Sequence, residues 1–546
     1  MVVSGGAERL TADGAPFAVE DGVYVGGPRT LREFVEVVWA YGDRVFLVSE
    51  AGETTYREFF DAACGLARRL VGEYGLRPGD RAVVAMRNLP EWHIAFWAAQ
   101  LAGLVAVPLN AWWTEDEFAY ALDDCTPGVL LVDGERVARV RRWAVGHGVP
   151  GIVFQGNAEE GFVAYVPDSD PFLGPPVVDV LPEHDSTIIY TSGTTGRPKG
   201  AVATHLAQVG AAMNPRYFAA AAALARGEVP GAAPAPVSLT TFPFFHVAAF
   251  TSFYAVMAAG GTLVMMRKWD AGAALGLIRR HGVTHYAGVP TTALQLLDAA
   301  RAAGDPMESL VLLSTGGAAA PPGIVAGITA AYGERVEPRN GYGLTETCGG
   351  VLSNVGAEYR AHPGSVGRPS PATEVRIERP DGEGVGELWL RGQSLIRGYW
   401  GDEAATRAAF TDHGWFRTGD LARVDGHGRV SIVDRITDMV IRGGENVYCV
   451  EVESVLHEHP DVADAAVLGV PHPVLGEEVV AVVRLRPGAG PGADAEPAAE
   501  ALRAHVGARL AAFKVPARVL VREGELPRNP TGKILKRELR GLFSRA

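Results

Sequence analysis

Apolar residues recur in short runs along most of this chain, separated by segments whose apolar positions repeat at helical spacing. Leu31 to Tyr41 is amphipathic and reads as a helix, Val45 to Ser49 as a strand, and Tyr56 to Glu73 as a second helix. Pro78-Gly79-Asp80 has turn chemistry. It leads to an apolar strand, Ala82 to Met86, a helix, Glu91 to Leu101, and another strand, Val105 to Leu109. Strand, helix, strand in that order implies a mostly parallel sheet covered by helices. A second series follows the buried run Thr187 to Tyr190, with strands expected near Leu239 to Phe242, Thr262 to Met266 and Val311 to Ser314. Two stacked βα layers within one large body accommodate both.

After Pro363 the texture changes. Glu374 to Ile377, Gly386 to Arg391 and Arg429 to Val433 are short alternating segments between Gly/Asp turns, which predict a small β-rich region. Beyond Asp434 the pattern is α+β: helix Val450 to His459, strands Asp464 to Val470 and Val479 to Leu485, and helix Glu500 to Leu510. The expected fold class is α/β, with a large body of two mostly parallel βα layers and the β-rich region over residues 1–433. A small, mobile α+β domain over 434–546 follows, its boundary at Asp434. Ala219 to Val237 and Pro487 to Glu500, rich in Ala, Pro and Gly, are expected to be exposed connections. No repeat period is evident, which excludes a solenoid or propeller.

Composition narrows the function. With 47% hydrophobic residues, 21% charged residues and 67 glycines, the chain has the make-up of a soluble globular enzyme with many strand-to-helix turns. A net charge of −13 argues against a nucleic-acid partner. Cys64, Cys125, Cys348 and Cys449 lie far apart with no C-x-x-C pair, so neither a disulfide framework nor a zinc ribbon is expected, and a reducing cytoplasm fits. The first residues lack the basic and apolar regions of a secretory signal. The uncharged stretch Leu239 to Met266 is broken by Pro243, His246 and Gly260-Gly261, and reads as strand, loop, helix and strand, not as a membrane span.

The chemistry concentrates in a few stretches. In YTSGTTGRPKG, Tyr190 to Gly200, three glycines (Gly193, Gly196, Gly200) allow close backbone approach, Thr191, Ser192, Thr194 and Thr195 offer hydroxyls, and Lys199 adds a cation. Those groups suit a polyphosphate, although the spacing is not that of a Walker A loop and a solvated turn fits the same residues. NGYGLTET joins an amide (Asn340), an aromatic (Tyr342), a hydroxyl (Thr345) and a carboxylate (Glu346), all suited to a nucleotide; a tight turn with a packed tyrosine is the plainer alternative.

Taken in order, YTSGTTGRPKG, FPFFHVAAF (242–250), STGGA (314–318), NGYGLTET (340–347), WFRTGD (415–420), DRITDMVIRGGENVYCVEVE (434–453) and PRNPTGKI (527–534) resemble the adenylate-forming superfamily of acyl-CoA synthetases, luciferase-like enzymes and peptide-synthetase adenylation domains. The resemblance implies that Tyr342 stacks on adenine, with Asn340, Gly341, Gly343 and the Gly316-Gly317-Ala318 backbone around it. It implies that Thr345 meets the α-phosphate, Glu346 holds Mg²⁺, Asp420 and Arg435 hold the ribose, and the glycine loop with Thr191 and Lys199 holds the β- and γ-phosphates. Lys533 is implied as the catalytic lysine of adenylation, and His246 as a residue beside the acid pocket and thiol tunnel. Turning about Asp434 would then withdraw Lys533 and present Gly443 and Gly444 to the pantetheine of CoA. Thr437 and Cys449 depart from the family's usual lysine and proline.

The activity so implied is an ATP-dependent acid:CoA ligase acting through an acyl-adenylate, as a monomer or homodimer. Transfer to a carrier-protein pantetheine, luciferase-like oxidation and a non-catalytic nucleotide-binding homologue are the alternatives. By family position the acid pocket comprises Val247, Ala248, Phe250, Val289, Thr291, Ser314, Gly341, Cys348 and Gly349; an uncharged lining of this kind suits a fatty or other apolar acid.

Overall fold

The computed structural model describes residues 2–4, 17–167, 173–191, 197–321, 323–486, 488, 495–529 and 532–543. Its large body contains two sheets that share a layer of helices. The nine-stranded sheet runs Arg368–Pro369, Gly349–Val355, Glu337–Leu344, Leu312–Gly316, His285–Gly288, Val237–Thr240, Thr262–Met265, Val45–Ser49 and Gly52–Thr55. The eight-stranded sheet runs Phe162–Ala164, Gly151–Phe154, Val129–Asp133, Arg81–Ala85, Val105–Pro108, Asp185–Thr191, Lys199–Thr204 and Gly398–Tyr399. Pairing is parallel through both interiors, antiparallel toward both edges of the nine-stranded sheet and toward the Gly398–Tyr399 edge of the eight-stranded one, and parallel at its Phe162–Ala164 edge.

Parallel strands need cover on both faces, which explains their unbroken apolar runs. The shared layer includes helix Pro90–Leu101, buried from Trp92 to Leu101 and therefore hydrophobic all round. Its Trp92 and Phe96 pack against Phe250 and Phe253 of helix Val247–Ala258. Outer helices cover the far faces, Glu115–Cys125 and Gly134–His147 on one sheet, Ala271–His281, Pro290–Ala303 and Gly323–Tyr332 on the other. Among the described residues no helix is long and apolar enough to cross a membrane.

Three local expectations change. Val45–Ser49 precedes the first βα series but joins the other sheet, pairing with Thr262–Met265, because sequence order does not dictate sheet membership. Ala219 to Ala225 is not a connection; it completes the helix His205–Ala225, as befits a run of the strongest helix former. The exposed link is 226–236. Likewise the helix Ala495–Gly507 starts inside the second expected connection.

The β-rich region is an antiparallel sheet, Val2–Ser4, Thr373–Glu378, Gly386–Gly392, Phe416–Val424 and Val430–Arg435. Asp434 lies in its last strand. The C-terminal residues build a separate sheet around the long hairpin Val462–His472 and Gly476–Leu485, with a core of their own that includes Val440, Cys449, Val467 and Val483.

Candidate functional site

Leu312–Gly316 and Glu337–Leu344 are parallel neighbours, with Gly316 beside Gly341, so their carboxyl ends deliver Gly317, Ala318 and Tyr342 to one crevice. Ligands of open α/β sheets bind outside such strand ends. Gly343 is required there: a Cβ would lie 2.0 Å from the Gly349 carbonyl oxygen, at the bulge where Glu337–Leu344 loses register with Gly349–Val355. Asn340 is buried on the strand just before.

Tyr342 donates its hydroxyl to Asp420 Oδ2 at 2.5 Å, and Arg435 Nε lies 3.0 Å from Asp420 Oδ1. Asp420 and Arg435 face each other across paired strands of the β-rich sheet. Burial raises the Asp420 carboxyl above its ordinary range, against the opposing pull of Arg435, the Tyr342 hydroxyl and Lys533. A carboxylate offers about four lone-pair positions, so this one can still accept two hydroxyls.

Thr345 and Glu346 follow on a short 3-10 turn, Thr345–Thr347, fixed by the Leu344 N–H donating to Thr347 Oγ1 at 2.8 Å. Glu346 Oε1 accepts the Tyr399 hydroxyl at 2.8 Å, and the Tyr399 ring lies 5.4 Å from the Lys199 ammonium. Tyr399 reaches both because Gly398–Tyr399 pairs with Lys199–Thr204. Thr191 pairs with Lys199 at the neck of the glycine hairpin. Ser192, Gly193, Thr194 and Thr195 lie outside the described residues.

The turn bearing Lys533 is braced by Asn529, whose side chain accepts the Lys533 N–H at 2.9 Å and whose own N–H donates to the Lys533 carbonyl at 2.9 Å. Gly532 has φ +84°, and a Cβ there would lie 2.9 Å from Val289 Cγ2, so the C-terminal turn seats directly on the large body. Lys533 faces Asp420, Arg435 and Asp438. The surrounding protein and Arg435 push its ammonium below the usual lysine range, while Asp438 and Asp420 oppose the shift; the side chain still reaches solvent through the crevice.

His246 takes a structural position. Its Nδ1 accepts the Ala248 N–H at 3.2 Å as the N-cap of helix Val247–Ala258, and burial holds the ring at about 4, neutral near pH 7. Gly443 and Gly444 belong to the C-terminal sheet. They form the two-residue turn between Val440–Arg442 and Glu445–Val447, with φ +62° and +92° as such hairpins require. Among the described residues, a Cβ on Gly443 would meet only Leu475, at 3.4 Å, and one on Gly444 nothing within 4 Å, so both positions are open at the Cβ. Nearby, Cys449 donates its N–H to the Asp434 carboxylate and its thiol to the Asp438 carbonyl at 3.1 Å; burial raises that thiol far above its usual range.

The expected acid pocket is only partly a pocket. Phe250 packs in the shared helix layer, Cys348 in a small core with Ala201, Ala203, Ala207, Ala211 and Ile396, and Gly349 against Thr251. Ser314 and Gly341 stay on the sheet face toward the shared layer, where Arg339 joins them as the register partner of Ser314. Arg339, Tyr399 and Asp438 escape the sequence reading. Arg339 and Asp438 stand within or beside quoted motifs and were available as the nearest unassigned charges; Tyr399 has no comparable signal.

Comparison with known proteins agrees with this geometry. Residues 34–400 match the AMP-binding enzyme family and residues 451–533 the AMP-binding enzyme C-terminal domain. The chain is 35% identical over 496 residues to a feruloyl-CoA synthase of an Amycolatopsis species, covering 90% of this chain and 94% of the relative. It is 34% identical over 545 residues to a long-chain-fatty-acid–CoA ligase of Thermus thermophilus, covering 93% and 95%. The solved amide bond synthetase McbA of Marinactinospora thermotolerans superposes with a TM-score of 0.79 at 28% identity, over 94% of this chain and all of that one. The chain belongs to the AMP-binding enzymes, the adenylate-forming superfamily.

Proposed function

We propose that this protein is an ATP-dependent acid:CoA ligase that joins a carboxylic acid to AMP, releasing pyrophosphate, and then passes the acyl group to the CoA thiol, releasing AMP. The observation that carries the reading is Lys533 standing at the Tyr342–Asp420–Arg435 cluster, with its turn seated on Val289. Its ammonium can lie between the incoming carboxylate and the α-phosphate, offsetting the repulsion of two anions and stabilising the transition-state charge.

In this account Tyr342 covers the adenine, Asn340 and the Gly316-Gly317-Ala318 backbone meet its edge, and Asp420 accepts the ribose hydroxyls with Arg435 beside it. Thr345 orients the α-phosphate, and Thr191, Lys199 and the glycine hairpin hold the departing pyrophosphate. Glu346 is a single carboxylate whose Tyr399 tether leaves lone pairs open, a donor set that fits Mg²⁺, which is ordinarily held by one or two carboxylates together with substrate phosphates. When bound, that ion neutralises phosphate charge.

After adenylation the C-terminal domain, residues 434–546, turns about Asp434 and brings Gly443 and Gly444 to the crevice for the pantetheine arm. Support for a separate movement comes from that domain's own core, and support for the role of the glycine turn from the open space at its Cβ positions. His246 caps a helix beside the acid and takes no proton. A cytoplasmic location belongs to this reading and is supported by four buried free cysteines.

The test is pyrophosphate release over acids of graded length and ring content, each with and without CoA. Acid-dependent release of pyrophosphate, with thioester formed only when CoA is present, is expected. Absence of release across the whole series would overturn the reading.

A further inference from the structure

The sheet face that carries Gly341 and Ser314 ends on a guanidinium without a counter-ion. Arg339 lies two residues before Gly341 on the same face of Glu337–Leu344, pairs in register with Ser314, and donates Nε–H to Ser353 Oγ at 3.0 Å. Phe218, from helix His205–Ala225, stands 5.8 Å from its guanidinium carbon. Among the described residues its two terminal nitrogens have no hydrogen-bond partner and no carboxylate within 4.0 Å, yet they are not sealed off from solvent. The one acid that influences it, Glu337, is committed to Arg226 at 2.8 Å. Its neighbour His285 is held neutral, at about 4, by burial and by Arg339 itself, so it brings no charge to the cluster. Burial lowers the guanidinium to about 10, still charged at neutral pH.

Between this arginine and the nucleotide end of the strand the sheet face carries only glycine at position 341, and the space at its Cβ position is open. A Cβ on Gly341 would meet only the Leu352 carbonyl, at 3.9 Å, and one on Gly316 only the Gly341 carbonyl, at 3.3 Å. A half-buried cation with free donors beside such an opening rewards an acceptor and disfavours a methyl terminus, which would leave it unpaired.

We propose that Arg339 is a specificity-determining residue of the acid crevice, and that the acid substrate carries a second acceptor, a carboxylate or a carbonyl, distal to the carboxyl that reacts. The inference rests on the ligase reading and sharpens it: the body of the acid meets apolar walls, while its distal end is polar.

The experiment measures binding by calorimetry in the presence of a non-hydrolysable α,β-methylene ATP analogue, with pyrophosphate release run in parallel on ATP. Acids of equal length are compared as plain, keto and dicarboxylic forms, on the wild type, Arg339→Met and Arg339→Lys. The wild type is expected to bind at least one acceptor-bearing form roughly tenfold or more tightly than the plain acid, Arg339→Met to lose that preference and Arg339→Lys to keep part of it. The keto and dicarboxylic arms identify the acceptor. A wild type that binds plain acids equally well or better, or a folded Arg339→Met that keeps the preference, overturns the assignment. Preference in binding without pyrophosphate from any acid would instead overturn the ligase reading and leave the subsite standing.

Discussion

Tyr399 donates its hydroxyl to Glu346 at 2.8 Å while its ring lies 5.4 Å from the Lys199 ammonium. One side chain therefore joins the carboxylate proposed for the metal to the cation at the neck of the glycine hairpin. Tyr399→Phe keeps the ring and removes the tether, and is expected to raise the Mg²⁺ concentration needed for half-maximal pyrophosphate release about three- to tenfold, in line with one hydrogen bond to a charged group. Tyr399→Ala should do worse. Magnesium titrations that superimpose for all three proteins would remove the tether from the mechanism.

Lys533→Ala is expected to slow adenylation by roughly two to three orders of magnitude, the cost of losing one preorganised charge at a transition state. Pre-made acyl-adenylate plus CoA should still give thioester at near wild-type rate. Equal loss in both half-reactions would end the alternation account.

A complementary substitution addresses the glycine turn. A Cβ at Gly444 meets nothing within 4 Å, and Gly444→Leu strains a residue at φ +92°, a cost on the order of 1–2 kcal/mol. Pyrophosphate release should survive while thioester formation falls, and stopped-flow measurement of each half separates the two. A selective loss of adenylation would put the turn on the wrong side of the cycle.

Gly532→Ala meets two obstacles, the φ of +84° and Val289 Cγ2 at 2.9 Å. Adenylation should fall at least tenfold. Adding Val289→Ala should recover the steric part only, giving a measurable coupling between positions far apart in sequence. Strict additivity would mean that the turn does not seat on Val289 during catalysis.

Burial raises the Asp434 carboxyl from 3.8 to about 6, with Glu453 adding to the rise and Lys536 and the N–H groups of Arg435 and Cys449 opposing it. A folded-state value above the unfolded one means that the native protein binds this proton more tightly. Stability therefore gains as pH falls through about 6 toward 4, and the ionised form costs on the order of 2–3 kcal/mol near neutrality. Asp434→Asn cannot titrate, so the melting temperature of the wild type relative to this variant should rise between pH 7 and pH 4.5. Parallel melting curves would show that Asp434 carries no such linkage.

Much of the architecture was legible because its signals are local. Val45–Ser49 and Thr262–Met265 are bounded within a residue of their apolar runs, and the two-layer body follows from strand–helix alternation. What escaped depends on partners far along the chain. Nothing in Gly398–Tyr399 announces that it will pair with Lys199–Thr204 and turn a hydroxyl toward Glu346. Cys348 and Phe250 sit at pocket positions by motif, but the small core around Cys348 and the shared helix layer around Phe250 are assembled from distant helices and strands. Arg339 stands one residue before NGYGLTET, yet its importance comes from what fails to pair with it.

Val289 touches the Gly532 position on one side and stands 3.9 Å from the Cβ position of Gly317 on the other. If the acid lies along that crevice, the same isopropyl group is bordered by substrate and by the closing domain. An ill-fitting acid that displaces it would disturb the seat of Lys533 as well as its own binding. Discrimination between acids should then surface in turnover as much as in affinity, making closure a second reading of the substrate after the first has admitted it.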